Sequence, residues 1–479
     1  MDLMNNLQRD AGGLHMQTHC KFRTWITIVV SIAVPGGLQL ASAQTQSQDA
    51  TSPTLALTLP QAVEIALRTN PLIRAKLNER KIAAAQLSEA RAARLPLLQL
   101  SETLTRSNNP VFVFGSLLEQ ERFGPENFAI DELNQPDSLT NFRTSISMRV
   151  PLFDQLQTST RIEQARIAEQ QSEAQQELVQ QQIRFDVIRT YYGVLVAEAK
   201  KKVADDAVQM AQAEVKRISD LYEKGLVVAS DLLAMEVQLA EFRQQQIKAQ
   251  GDVATAYAEL NTAMGVPIDT PQMIKEEIVD RTFEGNRQEE IIQLALTHRP
   301  DYRQSIMEVE SREQGMRGAA GQYYPRVDLF ASYGSSGAEL DSGSSDYLVA
   351  ATLSFNLVHP GRRARLRQAQ AARELAEAQQ ERKADEIRLE AVRAYQHYLA
   401  AQERLTVAER AANQAHETFR IVQDRYETGL VTITEVLRAH TAVVRAQMNL
   451  VAARFDYYIG YAQILLVRGQ LSDVTPFTS

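Results

Sequence analysis

Beyond residue 43 this chain has no histidines in metal-binding spacing, no cysteine and no long apolar run, and each absence excludes something. Its single thiol, Cys20, cannot close a disulfide within the 479 residues. The histidines beyond residue 43 are His298, His359, His397, His416 and His440, and none stands in HxxxH or HExxH spacing or has a cysteine partner. No zinc or metalloprotease pattern is written there, and each histidine reads as a surface or cap residue. The net charge is −8, and Lys and Arg are interleaved with Glu, Asp and Gln along the helical runs, so no nucleic acid partner is expected. Beyond residue 43 no run reaches the roughly 18 apolar residues of a membrane helix. Barrel strands escape that test, since about 9–11 alternating residues suffice for one. The tract "GSSGAELDSGSSD" (334–346) lacks the Lys-Ser/Thr ending of a phosphate loop and reads as a mobile loop. With no catalytic constellation, the chain is not expected to be an enzyme or to need a cofactor.

The amino-terminal segment has the grammar of export. Lys21 and Arg23 precede the apolar "WITIVVSIAV" (25–34), and "ASA" ends at Ala43. A signal peptide over 1–43 is therefore expected, with Met16 as an alternative start. Cys20 is removed with it, which suits an oxidising compartment. The "MQTH" before Cys20 lacks the pattern of a lipid-attachment site, so no acyl anchor is expected.

What is present is written twice. "LYEKGLVVASDLLAME" (221–236) and "RYETGLVTITEVLRAH" (425–440) align with Gly225 and Gly429 204 residues apart. "EIALRTNPLIRAKL" (64–77) and "QLALTHRPDYRQSI" (293–306) align at an offset of 229, carrying Pro71 to Pro300 and Pro96 to Pro325. The expected division is a first repeat over 44–285 and a second over 286–479. Each repeat should open with a helix, capped by Thr58 with Gln61 or Asn286 with Glu289 and closed by Pro96 or Pro325.

After each closing proline the period falls to two. Ile146, Met148, Val150 and Leu152 share one face of a strand, as do Val349, Ala351, Leu353, Phe355 and Leu357. With partners near 95–105 and 325–335, this gives four strands. From Gln155 to Glu223 and from Arg362 to Thr428 there is no proline and only Gly193, so continuous helices of roughly 100 Å are expected. Gly225 and Gly429 should cap them in the left-handed conformation and lead into return helices over 229–264 and 433–467. Apolar residues spaced by three and four make each pair an antiparallel coiled coil. The Glu/Arg-rich run 372–390 reads as a solvated or lumen-facing helix surface with i,i+4 pairs.

In this order and doubling the sequence resembles the TolC-type outer membrane efflux proteins. The motifs are "YEKGLVVASDLL" and "YETGLVTITEVL", the "NPxxxA" opening, and "VPLFDQLQTSTRIEQA" (150–165) with "FNLVHPGRRARLRQA" (355–369) where strand passes into helix. The resemblance implies an α+β membrane protein in which long helical hairpins form an α-barrel continued by a transmembrane β-barrel. Four strands cannot close alone in lipid; two chains would pool eight and three twelve, and the resemblance implies a homotrimer. It further implies a passive outer membrane conduit with a long periplasmic portion, partnered by a periplasmic adaptor (membrane fusion) protein and an inner membrane transporter. The outer component of a type I protein secretion system is an equal reading of the same residues. A soluble periplasmic coiled-coil adaptor is a third, opposed by the paired strands.

The resemblance also assigns sites. Gly225, Leu226, Val227, Gly429, Leu430 and Val431 fall at the hairpin tips, where the family docks its adaptor; packing against neighbouring hairpins is the alternative. Glu435 and Arg438 fall where the family places acidic rings at the tunnel aperture, and only the first is acidic here. Three such glutamates would attract cations. Thr432 and Glu435 also have capping-box spacing, so Glu435 has a helix-start reading as well, and Asp231 reads as a helix-start charge. "PVFVFGSLLEQERF" (110–123) is too apolar for an ordinary solvent loop and is expected to pack over the barrel mouth.

Overall fold

The computed structural model describes residues 57–274, 287–340, 342–471 and 477. The expected signal peptide with Cys20, and Asn286, lie outside these residues. Along the chain come α1 (Leu59–Thr69), α2 (Pro71–Ala92), β1 (Leu97–Ser107), α3 (Pro110–Glu119), a 3-10 turn (Pro125–Phe128), α4 (Ile130–Asn134), β2 (Leu139–Phe153), α5 (Gln157–Glu223) and α6 (Ala229–Met264). They are followed by α7 (Gln288–His298), α8 (Pro300–Gly321), β3 (Arg326–Glu339), β4 (Ser342–Ser354), α9 (Arg362–Glu427) and α10 (Ile433–Val467).

The single opening helix expected in each half is two helices. Pro71 and Pro300 each start a new one, and the residues before them, Asn70 (ψ 124°) and Arg299 (ψ 126°), are extended, as proline demands of its predecessor. The Asn70 carboxamide oxygen accepts from the Leu72 amide and so caps α2. At the start of α1 the Thr58 amide donates to Gln61 Oε1 at 3.1 Å, the reciprocal half of the expected box. For α7 the N-cap is Arg287.

The four strands form one antiparallel sheet in the order β1-β2-β3-β4. Register decides its faces. Leu98 opposes Met148, Leu100 opposes Ile146, Ile146 opposes Tyr333, and Tyr333 opposes Tyr347, so these side chains share one face with Leu104, Val349 and Leu353. That face is apolar and exposed: Leu100 is 71% accessible and Tyr347 81%. Ser101, Asn141, Arg143, Ser145, Ser147, Ser332, Ser336 and Asp346 occupy the other. The Gly/Ser tract expected as a mobile loop is strand over 334–339 and 342–346. A side-chain carbon on Gly337 would meet the Ser342 carbonyl oxygen at 1.6 Å, and one on Gly343 would meet Ser336. These glycines serve close backbone approach in a ladder, not chain freedom. The long β1–β2 connection and the short β3–β4 turn lie at one end of the sheet, and the helices lead away from the other.

α5 and α9, 67 and 66 residues long, are the continuous rods. Along α5 lie α2 and α6, with α1 at their join; along α9 lie α8 and α10, with α7 at theirs. Both return helices keep the bounds expected of them. All four of their terminal glycines are left-handed, with φ between 69° and 73°. Each closes a double hydrogen bond of Schellman type: Leu226 to Leu221 and Gly225 to Tyr222, and likewise Leu430 to Arg425 and Gly429 to Tyr426. The run 372–390 carries its predicted pairs, Arg373–Glu377 and Arg382–Glu386.

The inner glycines have a second duty. A side-chain carbon on Gly265 would sit 2.6 Å from Asn70 Cα, and one on Gly469 3.0 Å from the Arg299 amide nitrogen. Each proline break therefore rests directly on the end of a return helix. Thr69 Oγ1 donates to the Met264 carbonyl and Asn70 Nδ2 to that of Ala263, satisfying carbonyls left over at the end of α6. Around these joins lies the main core, with Ile188, Tyr191, Leu260, Ile291, Tyr398 and Tyr457 among its buried members. Arg299 there contacts Asp301 at 2.8 Å and Glu390 at 2.7 Å, and Lys383 reaches Asp301 at 2.9 Å. Burial raises the Asp301 pKa, but the Arg299 and Lys383 bonds outweigh it and hold the carboxyl down to about 2.

Around Gly225 there is open space, so Gly225→Ala should cost only the left-handed penalty of about 1–2 kcal/mol. Gly265→Ala adds a backbone clash and should cost about 2–5 kcal/mol. Thermal unfolding midpoints of the two variants check this order; equal losses would show that the join does not hold α1 and α2 against α6.

Candidate functional site at the hairpin tips

The predicted tip residues separate by burial in the same way in both hairpins. Leu226 and Leu430 project, 68% and 75% accessible. Val227 and Val431 are half-buried. Val227 packs on a tip core made by Ile218 of α5, Met235 of α6, Phe419 of α9, and Ile433, Val436 and Val443 of α10. This core draws on four helices, so the two tips stand side by side as one body.

Polar groups cross between the hairpins beside it. Arg217 of α5 pairs with Glu427 of α9 and lies 3.6 Å from Glu214. Glu214, itself buried, accepts a bond from Gln423 Nε2. The Tyr426 hydroxyl lies buried in this region without a hydrogen bond, and burial raises its pKa. None of these bridges was legible in the sequence. They join residues about 200 positions apart whose types are ordinary for a solvated helix.

Glu435 stands in the first turn of α10, and its Oε1 accepts from Arg438 Nη1 at 3.1 Å; both side chains are exposed. The capping box read from Thr432 and Glu435 is not formed. Thr432 occupies the N-cap, but its side chain makes no capping bond, and the carboxylate turns to Arg438 instead. Asp231 lies in the first turn of α6, where the helix dipole favours it.

His440 corrects the surface reading of the histidines. It is 1% accessible, with its ring 4.8 Å from that of Phe242 and 5.2 Å from that of Phe419, and its Nε2 is buried without a partner. The 3.6 period would have found it, because His440 follows Ile433, Val436 and Ala439 on the buried stripe of α10. Among the described residues no group of three or more His, Cys, Asp or Glu is placed to hold a metal ion. No helix among them is long and apolar enough to cross a membrane.

Residues 62–266 and 291–470 match the outer membrane efflux protein family. The chain belongs to that family. No curated protein matches the sequence. Among solved structures the chain is similar to CusC, with a TM-score of 0.75 at 17% identity over 87% of this chain and 93% of that one. VceC from Vibrio cholerae gives 0.73 at 20% identity over 86% and 96%. The open state of the Neisseria gonorrhoeae MtrE outer membrane channel gives 0.70 at 15% identity over 86% and 89%. This outer membrane efflux protein is thus a channel component and not an enzyme, located in the outer membrane with long helices in the periplasm. Family membership sets aside the soluble adaptor reading.

Burial lowers the His440 pKa to about 4, so the imidazole is neutral in the folded hairpins. An unfolded chain takes up the proton near 6.5 and the folded one refuses it until about 4. The stability held by this packing is therefore complete above pH 6.5 and is lost as pH falls toward 4, by roughly 3 kcal/mol. Thermal midpoints between pH 7 and 4 should fall steeply in the parent and less in His440→Phe; parallel curves would remove His440 as the cause.

Proposed function

We propose that three copies of this efflux protein pool their strands into a twelve-stranded barrel and their hairpins into a continuous periplasmic tunnel. The observation that carries this is the sheet. Its apolar face is exposed, its opposite face is largely polar, and among the described residues β1 and β4 each have one neighbouring strand. In lipid those edges must pair, and pairing β4 of one copy with β1 of the next gives closure with the apolar face outward and a polar, water-filled lumen. The structural likeness to CusC, described in terms of transmembrane channel formation, supports the same assembly.

The protein is then the outer duct of a tripartite efflux system, receiving solutes through a periplasmic adaptor from an inner membrane transporter. The halves 44–285 and 286–479 are copies of one ancestral unit. Supporting this, helices of 11 and 22 residues recur, rods of 67 and 66 and return helices of 36 and 35 answer each other, and the family match falls in two blocks. Leu226 and Leu430 are the adaptor contacts, with Gly225 and Gly429 shaping the turns and Val227 and Val431 supporting them from beneath. Glu435 lines the aperture, its field tempered by Arg438.

Native mass of the detergent-extracted outer membrane protein should equal three chains; a monomer would overturn the pooled barrel. In planar bilayers Glu435→Gln should reduce cation preference several-fold, and unchanged ion selectivity would remove Glu435 from the aperture. Leu226→Asp with Leu430→Asp should cut adaptor co-purification at least tenfold while leaving the trimer intact; undiminished capture would place docking elsewhere.

A further inference from the structure

The β1–β2 connection is unlike the short link between β3 and β4. It contains α3, the 3-10 turn and α4, and it is folded back onto the polar face of the sheet. Glu119 at the end of α3 lies 3.4 Å from Arg143 Nη1 and accepts from Ser336 Oγ at 3.2 Å. Gln120, itself buried, donates to Asn141 Oδ1 at 2.8 Å and to the Thr140 carbonyl at 3.1 Å. Glu121 accepts from Ser344 Oγ at 2.7 Å, and Arg143 pairs onward with Asp346 at 2.9 Å. Asn141, Arg143, Ser336, Ser344 and Asp346 all belong to the polar face. The connection is thus latched by three successive side chains to three strands.

The latched side of α3 carries Val113, Ser116 and, just beyond its end, Gln120, all buried. Its other side carries a second apolar stripe. Val111 is 82% accessible, Leu118 51% and Phe114 36%, and Phe128 and Ile130 add 66% and 78%. Phe114 meets Phe123 edge-on at 4.8 Å, and Phe123 meets Phe128 at 5.1 Å, so the stripe is a built aromatic cluster. A polar face with charged groups cannot front lipid, so this apolar stripe points into the lumen.

We propose that this stripe is covered by the same stripe of two further copies, the three connections meeting on the barrel axis and closing its outer mouth with an apolar plug. The proposal rests on the three-chain reading. Twelve strands about 4.8 Å apart and tilted about 40° enclose a circle of roughly 12 Å radius. A helix about 10 Å across laid on the inner wall reaches most of the way to the axis. Three of them leave no open bore at that level, and Val111, Phe114 and Leu118 then bury one another. The occupant of the patch is therefore a second copy of this chain. The outer end is held shut by apolar contact, and the salt bridges to Arg143 hold each third of the plug to its own wall.

Two thiol measurements test it, in a background with Cys20→Ser and with native mass recorded for every variant. Val111→Cys should form an inter-chain disulfide within the trimer on mild oxidation, and Leu340→Cys, on the short turn away from the axis, should not. Ser147→Cys, below the plug on the polar face, should react slowly with a bulky impermeant maleimide applied to intact cells. Adding Phe114→Ser with Leu118→Ser should speed that labelling at least tenfold. A trimer with no Val111 cross-link, or with labelling equally fast before and after loosening the stripe, overturns the plug and leaves the barrel standing. A protein that never forms a trimer overturns both.

Discussion

Two rows of backbone amide and carbonyl groups, on the free sides of β1 and β4, govern the rest of this molecule. In water they would be solvated at little cost. In hydrocarbon each unpaired group costs several kcal/mol, so the sheet cannot exist there as a single chain's property. If the exposed apolar face fronts lipid, as in the proposed barrel, the edges must pair with strands of further copies. The helices inherit that arrangement, because α2, α5, α8 and α9 all leave the same end of the sheet. Their only way to bury apolar stripes is along one another, and the tips stand where two rods of nearly equal length bring them.

The parts of this architecture that the sequence displays are those set by local chemistry. A glycine at positive φ marks the end of each rod and each return helix; the return helices are readable to the residue and the rods to within two. Alternation on β2 and β4 is equally plain, because one face is apolar and the other largely polar. Readings failed where a residue type has two uses. Pro71 and Pro300 fall inside the single opening helix expected of each repeat but break it, because proline holds the residue before it extended, and Gly265 and Gly469 pack against those residues. The Gly/Ser tract looked like a loop because small residues also serve tight strand pairing. His440 looked polar, yet its ring fills a gap between Phe242 and Phe419. The capping box at Thr432 is a pattern whose second partner found a guanidinium instead.

The tip is built from opposites placed side by side. An apolar core shared by four helices fixes the two hairpins relative to each other, while the Arg217–Glu427 pair, open to water, and the buried Glu214–Gln423 bond link them. The core supplies most of the cohesion, since largely exposed ion pairs contribute about 0–1 kcal/mol each. The polar bridges select geometry more than they add strength. Leu226 and Leu430 remain outside both systems, which is why they are free to meet something else.

The joins at Asn70 with Gly265 and at Arg299 with Gly469 give each hairpin unequal stiffness. One wall is an unbroken rod, and the other is two pieces in end contact. Bending such a composite would concentrate deformation at the seam, making Gly265 the fulcrum of α6. Thirty-six residues make that lever roughly 54 Å long, and a tilt of about 10° at the seam carries its far end roughly 9 Å. A displacement comparable to the diameter of a helix thus requires only a small slip of backbone against backbone, far from the residues that move.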